Sequence, residues 1–398
     1  MTLPTLRLRL AAALLLASAA CSTPQRMPAV PPSETALAEP AIGDVRFLVR
    51  LDPKPMAAEA ESALRKEQAW LVSQGQSGPL PPAYYLAISG GGDDGAYGAG
   101  LLTGWTAAGT RPQFKVVTGV STGALAAPFA FLGSAYDPML EKVYTTISAK
   151  DVFRKRGMIE GVMGDGMADS APLRHMVAHY VDKKLLDAIA AEYAKGRLLL
   201  VGTADLDSLE PVIWNMTAIA ASSDPRAPAL FRNVLVASAS IPGLFPPVMI
   251  DVTLGGVHHQ EMHVDGGTIA QLFLYPPSLS ANTSAPIAPR TRVLYLIRNS
   301  RLDPDWAQVQ RRTIPIASRA VASLIRTQGI GDLYRIYVTS HRDGLDYNLA
   351  YIPASFTGTR KVAFDTDYMR KLYALGRDSA AAGYRWSKVP PGLDPAGT

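Results

Sequence analysis

A serine framed by two glycines constrains the fold of this chain more than any other feature. The stretch GVSTGAL, at Gly119–Leu125, places Ser121 between Gly119 and Gly123. The apolar, β-prone run FKVVTGV leads into it, and the helix-like run GALAAPFAFLG continues from it. This order predicts a strand that turns sharply into a helix with Ser121 at the apex, because glycine lacks the Cβ that would crowd the turn. A serine in that position presents a nucleophilic hydroxyl beside free helix N–H groups, although an ordinary Gly/Ser turn has a similar composition.

A second glycine-rich loop, SGGGDDG, follows another short apolar strand and precedes a helical run. Backbone N–H groups of such a loop bind anions. The loop lacks the GK[ST] ending of a nucleotide phosphate loop, and Asp93 and Asp94 would repel a polyphosphate. We therefore predict that Gly90, Gly91 and Gly92 form an oxyanion hole. It would lie beside the serine at the carboxyl edge of a parallel sheet.

Strand-like and helix-like runs alternate along most of the chain. The strand-like runs include YYLAIS, FKVVTGV, RLLLVGTADLD and RVLYLIRNS. The alternation predicts the α/β class, with a mostly parallel central sheet and helices on both faces. With 398 residues, of which 48% are apolar, the chain can bury one large core.

An apolar stripe lies on one side of a later helical run, PIASRAVASLIRTQ. Its members recur at helical spacing: Ile316, Ala320, Val321 and Leu324. We predict that this stripe packs on the sheet, although the same pattern suits a membrane surface. Arginines gather between Arg290 and Arg335, and we interpret them as a solvated face, with a phospholipid-headgroup contact as the alternative.

The serine needs a proton acceptor, and the sequence offers two candidates. Asp265 ends a predicted strand, and Gly266 and Gly267 after it allow a tight turn that would bring the carboxylate against another loop. A buried carboxylate can accept a proton, but a DG pair is also a common plain turn. The alternative is His341, the last histidine, which would complete a Ser–Asp–His triad in the order of an α/β-hydrolase.

Three other histidines form an HHxxxH pattern: His258, His259 and His263. This pattern is a weak metal signal, and we predict neither a metal site nor a cofactor.

Three motifs, in this order, resemble the patatin-like phospholipase family, particularly its bacterial lipoprotein-type members. They are SGGGDDGAYGAG, GVSTGAL and VDGG, and the likeness continues through DLD at Asp205–Asp207, SASIPGLFPPV and GYRWSKVPPG. It spans most of the chain, from about Tyr84 to Gly392. The resemblance implies a lipid acyl hydrolase with a Ser–Asp dyad, in which Ser121 is the nucleophile and Asp265 the proton acceptor. It also implies that the glycine loop is the oxyanion hole.

The chain departs from the family pattern directly after the glycine loop. Many members have an arginine or lysine there, whereas this chain has Asp93 and Asp94. Two acids near a developing anion are unfavourable unless they point away or cap the helix. The departure keeps a third function open, in which a lipoprotein of this fold binds lipid or a partner without catalysis.

The N-terminal sequence predicts export. A basic start and the apolar run LAAALLLASAA predict a signal peptide over residues 1–20. Cys21, the only cysteine in the sequence, follows small residues as in a bacterial lipobox, so we predict that it carries lipid; plain secretion is the alternative. Residues 21–45, with their Pro, Ala and Ser, predict a flexible tether, and residues 46–398 the acyl hydrolase domain.

This organisation predicts an exported protein of the cell envelope. It would be anchored to a membrane, on the periplasmic side or at the outer membrane, and would act on lipid esters. The net charge of +5 does not favour nucleic acid as a partner. Metabolic labelling with a fatty-acid analogue tests the anchor, because equal labelling of wild type and Cys21→Ala would contradict it.

Overall fold

The computed structural model describes residues 25–279, 290–304 and 306–393. The predicted signal peptide (residues 1–20) and Cys21 lie outside these ranges. Within them, the strands are β1 (Glu39–Pro40), β2 (Arg46–Phe47), β3 (Ala83–Ile88), β4 (Val116–Val120), β5 (Arg154–Lys155), β6 (Ala168–Asp169), β7 (Leu198–Asp205), β8 (Glu210–Asn215), β9 (Val248–Leu254), β10 (Val257–Asp265), β11 (Arg292–Arg301) and β12 (Asp346–Ile352). The α-helices there are α1 (Lys54–Ser73), α2 (Gly95–Ala107), α3 (Thr122–Leu132), α4 (Asp137–Thr146), α5 (Ala149–Val152), α6 (Met158–Met163), α7 (Ala171–Tyr180), α8 (Lys183–Ala194), α9 (Met216–Ala221), α10 (Ala227–Ser238), α11 (Thr313–Arg342) and α12 (Thr366–Ala381).

One large mixed sheet organises the molecule, in the strand order β1-β9-β10-β7-β4-β3-β11-β12. The five strands from β7 to β12 in this order are parallel. On the other side of β7, strands β10, β9 and β1 continue the sheet in antiparallel pairs, and β8 pairs antiparallel with both β7 and β2. The predicted α/β class with a parallel central sheet is confirmed, and an antiparallel wing is joined to it.

Helices cover both faces of the sheet, so both faces of the central strands are apolar. In β7, Leu199 and Val201 join the core under α2, α3, α7, α8 and α10. Leu198 and Leu200 alternate with them and pack beneath α1 on the opposite face, where α11 also lies. The register matches Ile88 of β3 with Gly119 of β4, so the loops that follow these two strands meet at one edge.

The segment predicted as a flexible tether differs from that expectation in its described part, residues 25–45. Strand β1 pairs with β9, and the Arg26 guanidinium donates to both carboxylate oxygens of Asp207 at 2.8 and 2.6 Å. Val30 and Ala38 are buried against Val252. The apolar residues between the prolines find cover on the antiparallel wing, which the composition of the segment alone did not indicate.

Helix α11 corrects the prediction for the apolar stripe. Its second half packs on the sheet through Leu333 and Ile336. The first half does not, and the predicted stripe is exposed along its whole length: Ile316, Ala320, Val321 and Leu324. The prediction that it packs on the sheet is wrong because the 30-residue helix, about 45 Å long, outruns β3, which spans about 20 Å. None of the helices in the described ranges has the length and apolar character needed to span a membrane.

Candidate active site

Ser121 occupies a strained backbone position between β4 and α3. Its φ of 56° and ψ of −127° are unusual for a residue with a side chain, and cost of order 1–3 kcal/mol. The flanking glycines make the bend possible: a Cβ at Gly119 would lie 2.5 Å from the Gly123 carbonyl oxygen, and a Cβ at Gly123 would collide with the Ile88 carbonyl. The strand, serine and helix follow one another as predicted.

The Ser238 hydroxyl, at the end of α10, links this elbow to β7, the strand beside β4 in the sheet. It accepts a hydrogen bond from the Ser121 N–H at 3.0 Å and donates to the Gly202 carbonyl of β7 at 2.7 Å. Ser238 is fully buried, so both bonds are shielded from water. The elbow is therefore held by the sheet and by α10 together.

Asp265, the last residue of β10, lies next to the elbow. Its register partner on β7 is Thr203, and the neighbouring Gly202 is the register partner of Val120 at the end of β4. The buried carboxylate accepts a hydrogen bond from the Gly267 N–H at 2.8 Å. The structure thus brings Asp265 and Ser121 together, although they are far apart in sequence.

Burial raises the pKa of Asp265 to about 6, and hydrogen bonds from the Ser121 side chain and the Gly267 N–H oppose this rise. A carboxylate with a pKa near 6 is ionised at neutral pH and more basic than an exposed aspartate. It can accept the proton of a serine hydroxyl. Gly266 and Gly267 begin the 3₁₀ turn Gly266–Thr268, which carries the chain away from the site.

The predicted oxyanion loop lies against Ser121. A Cβ at Gly90 would lie 3.1 Å from the Ser121 Cβ, and one at Gly91 would collide with the Asn299 carbonyl. Gly91 and Gly92 have φ values of 153° and 61°, which glycine adopts readily. Among the described residues, the N–H groups of Gly91 and Gly92 have no hydrogen-bond acceptor. They are available to an anion beside the serine.

Asn299, near the end of β11, fixes the start of this loop. Its backbone N–H donates to Ser89 Oγ at 2.8 Å, and its side-chain amide donates to the Ser89 carbonyl at 3.0 Å. The Asn299 Oδ1 accepts from the Gly98 N–H of α2 at 3.0 Å. One buried amide therefore joins the strand before the glycine loop to the helix after it.

The two acids that follow the loop pair with Arg360. The Arg360 guanidinium lies 3.2 Å from Asp93 and donates to Asp94 at 2.9 Å. Asp93 also accepts from the Phe364 N–H at 2.9 Å, and Asp94 accepts from the Tyr368 hydroxyl at 2.6 Å. Burial raises the pKa of Asp93 and raises that of Asp94 to about 6, while Arg360 opposes both rises. The acids are thus compensated by a residue distant in sequence.

Replacing Arg360 by glutamine is expected to destabilise the protein in a pH-dependent way. Both carboxylates would lose their cation, and the loss of folding stability would be largest at pH values at which the carboxylates are ionised. Because Arg360 is partly exposed, we expect a loss of about 1–3 kcal/mol at about pH 8. The loss should shrink at about pH 5, below the raised pKa of Asp94, where protonation removes the uncompensated charge.

Thermal unfolding of wild type and Arg360→Gln at the two pH values measures this difference. Arg377→Gln is the matched control, because Arg377 pairs with Asp378 on an exposed helix surface at 2.9 Å. It should change stability by less than about 0.5 kcal/mol. Equal destabilisation of Arg360→Gln at both pH values would contradict the assigned charge pairing.

An apolar cavity of about 40 Å³ opens beside Ser121. Gly92 contributes to its wall, as does Phe364, whose φ of 54° is also unusual for a residue with a side chain. The rest of the wall is largely aliphatic and aromatic: Leu125, Val143, Tyr144, Ile147, Val152, Leu173, Met176, Ala239, Ile241, Phe245 and Met369. The side chains around this small cavity, next to the Ser121 hydroxyl, are therefore mostly apolar.

Two larger cavities lie away from the candidate catalytic side chains. One of about 400 Å³ lies between α1 and the first residues of β4 and β7, at the opposite edge of the sheet. Another of about 400 Å³ lies near the second half of α11. Neither is lined by Ser121 or Asp265, so the chemistry rather than the volume identifies the site.

The histidines are not assembled around the serine. His341 lies at the end of α11, stacked on Tyr337, close to the residues that begin β12 at the opposite edge of the sheet. His263 is buried two residues before Asp265, where it contacts Glu261 and Thr203. In the described ranges, no group of three or more His, Cys, Asp or Glu side chains could hold a metal ion.

Comparison with known families agrees with the motifs. The segment 86–277, just under half of the chain, matches the family model described as patatin-like phospholipase. Residues 86–277 are therefore similar to the patatin-like phospholipase family. The resemblance is confirmed within this segment, and the expected extension to Gly392 lies beyond the match. The patatin-like domain contains both glycine motifs and Asp265, and it supports lipid acyl hydrolysis as the general class of activity.

Searches of individual proteins add two findings. No curated protein matches the chain. Among solved structures, the chain is similar to the crystal structure of VipD from Legionella pneumophila, with 12% identity and a TM-score of 0.32. That likeness covers 77% of this chain and 67% of VipD.

Several residues around the patatin-like domain's site were not singled out by the sequence analysis. Ser238 belongs to the quoted SASIPGLFPPV motif, and Asn299 ends a predicted strand, so both carried a local signal. Gln271, whose Oε1 would be 2.7 Å from a Cβ at Gly90, follows the Asp-Gly-Gly turn. Arg360 carried no signal, because nothing near it in sequence indicates its acidic partners.

Proposed function

We propose that this protein is a serine lipid acyl hydrolase of the phospholipase A or lysophospholipase type, using a Ser–Asp dyad. Ser121 is the nucleophile, Asp265 is the proton acceptor, and the loop Gly90–Gly92 is the oxyanion hole. The observation that carries the proposal is the pairing of Ser121, at a strained elbow, with a buried carboxylate that its side chain hydrogen-bonds.

The first half of the proposed reaction forms an acyl-enzyme. Asp265 accepts the proton of the Ser121 hydroxyl as the oxygen attacks the ester carbonyl. The carbonyl oxygen becomes negative and receives hydrogen bonds from the Gly91 and Gly92 N–H groups, each worth about 3–4 kcal/mol in the transition state. The proton then passes from Asp265 to the departing alcohol as the bond between the carbonyl carbon and the alcohol oxygen breaks.

The second half releases the fatty acid. Asp265, again ionised, takes a proton from a water molecule that attacks the acyl-enzyme carbonyl. The Ser121 oxygen leaves with that proton, so the fatty acid is released and the free Ser121 hydroxyl is restored. The apolar lining beside Ser121 supports the hydrocarbon part of a lipid ester as the group next to the serine. In this proposal, lipid on Cys21 would hold the enzyme at the cell-envelope membrane as a lipoprotein.

The rival functions are less well supported. Asp93 and Asp94 favoured a non-catalytic lipid-binding protein, but Arg360 compensates the charge of both acids. The Ser–Asp–His triad required His341, which lies at the opposite edge of the sheet. We therefore propose the dyad enzyme ahead of both alternatives.

A fluorophosphonate probe tests the proposal, because it labels an activated serine. We expect labelling of wild type, no labelling of Ser121→Ala, and normal labelling of Ser240→Ala, a control serine that is also buried and whose hydroxyl donates to the Val236 carbonyl of α10. Wild type should also release fatty acid from phosphatidylcholine or lysophosphatidylcholine, and Ser121→Ala should not. Labelling of Ser121→Ala at the wild-type level would refute the nucleophile.

A further inference from the structure

The segment 306–328 projects from the fold and exposes large apolar side chains. We call it the basic arm. Trp306 is 84% exposed and Leu324 is 69% exposed, and Ile316 and Val321 are about half exposed. Exposed apolar residues are ordinary one at a time, but a run of them on one projecting segment marks an interaction site.

The basic arm extends beyond the edge of the sheet that carries Ser121. Helix α11 meets this edge at Gly329, where a Cβ would contact the side chains of Arg298 and Gln271. Gln271 in turn lies against Gly90 of the glycine loop. The sixteen residues from Thr313 to Gln328 precede this contact and extend for about 24 Å. The arm thus projects on the side of the molecule where the active site opens.

The charge of the arm has one sign. Residues 306–328 contain four arginines and no aspartate or glutamate: Arg311, Arg312, Arg319 and Arg326. Arg312 immediately precedes the helix, whereas Arg319 and Arg326 lie seven residues apart on one side of it, and Arg326 also donates to the Leu302 carbonyl. Ile316, Val321 and Leu324 lie on a neighbouring side. A basic side next to an apolar side is typical of helices that lie in a membrane interface, and the exposed Trp306 lies seven residues before this helix begins.

We propose that the basic arm binds an anionic lipid surface and places the active-site edge of the sheet against it. This inference rests on the proposed function, because it names the surface that would supply the lipid substrate. Anionic headgroups complement the arginines, and the acyl boundary would cover the exposed apolar residues. A second copy of the chain suits the arm less well, because symmetric pairing would bring two sets of arginines together.

Vesicle sedimentation tests the proposal with the chain from Ser22 to Thr398 in every sample, so that neither the predicted signal peptide nor lipid on Cys21 contributes to binding. The probes are phosphatidylglycerol vesicles and phosphatidylcholine vesicles. Wild type should bind phosphatidylglycerol more tightly. Leu324→Ser should weaken this binding by about tenfold or more, because it removes one large apolar contact. Val72→Ser is the matched control, since Val72 is 70% exposed on α1, outside the arm, and should bind as wild type does.

A second pair of variants tests the charge. Replacing both Arg311 and Arg312 by glutamine should weaken binding to phosphatidylglycerol by about fivefold per arginine and leave binding to phosphatidylcholine unchanged. Arg65→Gln, at an exposed position on α1, is its control. Each variant should keep wild-type circular dichroism, because the substituted side chains are exposed.

Three results would overturn the proposal: unchanged phosphatidylglycerol binding by Leu324→Ser, equal losses in the arm and control variants, or an arm variant that turns a dimer into a monomer without affecting vesicle binding. Hydrolysis of a soluble short-chain ester separates this proposal from the proposed function. Arm variants should hydrolyse that ester normally, and a wild type that binds vesicles but hydrolyses no ester would refute the enzyme and leave the arm in place.

Discussion

Asp265→Asn is expected to lower ester hydrolysis by about 10²–10⁴-fold, the usual contribution of a general base. Asparagine keeps the shape of the side chain and can still accept the hydrogen bond from the Gly267 N–H, but it cannot take a proton from Ser121. Initial rates on a short-chain ester measure the loss. His341→Ala should retain near wild-type activity, since it lies at the opposite edge of the sheet. The reverse pattern would favour the Ser–Asp–His triad.

The pH profile of wild type should follow the same carboxylate. Because burial raises the pKa of Asp265 to about 6 and the base must be ionised, hydrolysis should decline as the pH falls through about 6. A histidine base would decline at nearly the same pH, so the two substitutions separate the mechanisms better than the profile does.

Asp265→Asn should also stabilise the folded protein at neutral pH. The ionised carboxylate is disfavoured in the folded state, since its pKa rises from 3.8 to about 6. The cost is therefore present above that pKa and disappears below the unfolded value, where both states are protonated. We expect Asp265→Asn to gain about 1–3 kcal/mol at about pH 8 and little at about pH 4. A loss of stability at the higher pH would contradict the assigned burial.

Gly92→Val is expected to lower the rate of ester hydrolysis by about 10²–10³-fold, which is the effect of losing one oxyanion donor. The φ of Gly92 is 61°, which a β-branched residue adopts only with strain, although no neighbouring atom lies within 4 Å of an added Cβ. The loop would shift to relieve that strain, and its N–H groups would move away from the substrate oxygen. Initial rates on the same ester measure the loss.

Gly109→Val is the matched control for this prediction. Gly109 has a φ of 71° and equally open surroundings, but it lies in the turn after α2. Both variants should lose similar stability, and Gly92→Val alone should lose activity. If Gly92→Val keeps its activity, the glycines serve only the turn and the proposed oxyanion hole is wrong.

The sequence predicted the parts of the site that depend on local backbone geometry. Ser121 needs glycines around it because the elbow leaves no room for Cβ atoms, and Gly91 and Gly92 need φ values that other residues avoid. The position of Asp265 at the end of a strand could be predicted because the glycines after it mark the turn that ends β10. The parallel order of the central strands followed from the alternation of strands and helices.

Contacts between distant segments were not predictable in this way. The pairing of Arg360 with Asp93 and Asp94 joins residues more than 260 positions apart, and no spacing rule connects them. The antiparallel wing was not predicted, because a residue pattern does not show in which direction a strand runs relative to its neighbours. The stripe on α11 was misassigned because helical periodicity shows which residues share a side, and not whether the sheet reaches far enough to cover them.

Strand β7 lies between the two strands that end at Ser121 and Asp265. The distance between the backbones that carry the proposed nucleophile and base is therefore set by two inter-strand spacings, each about 4.7–4.9 Å, and the two side chains reach across this distance to hydrogen-bond. Such a spacing is a property of the backbone ladder, which loop motion does not stretch. In the proposed mechanism, the strands that carry the reacting groups keep their separation for as long as the sheet is intact. The protein should therefore lose activity on heating at the same temperature at which these strands separate.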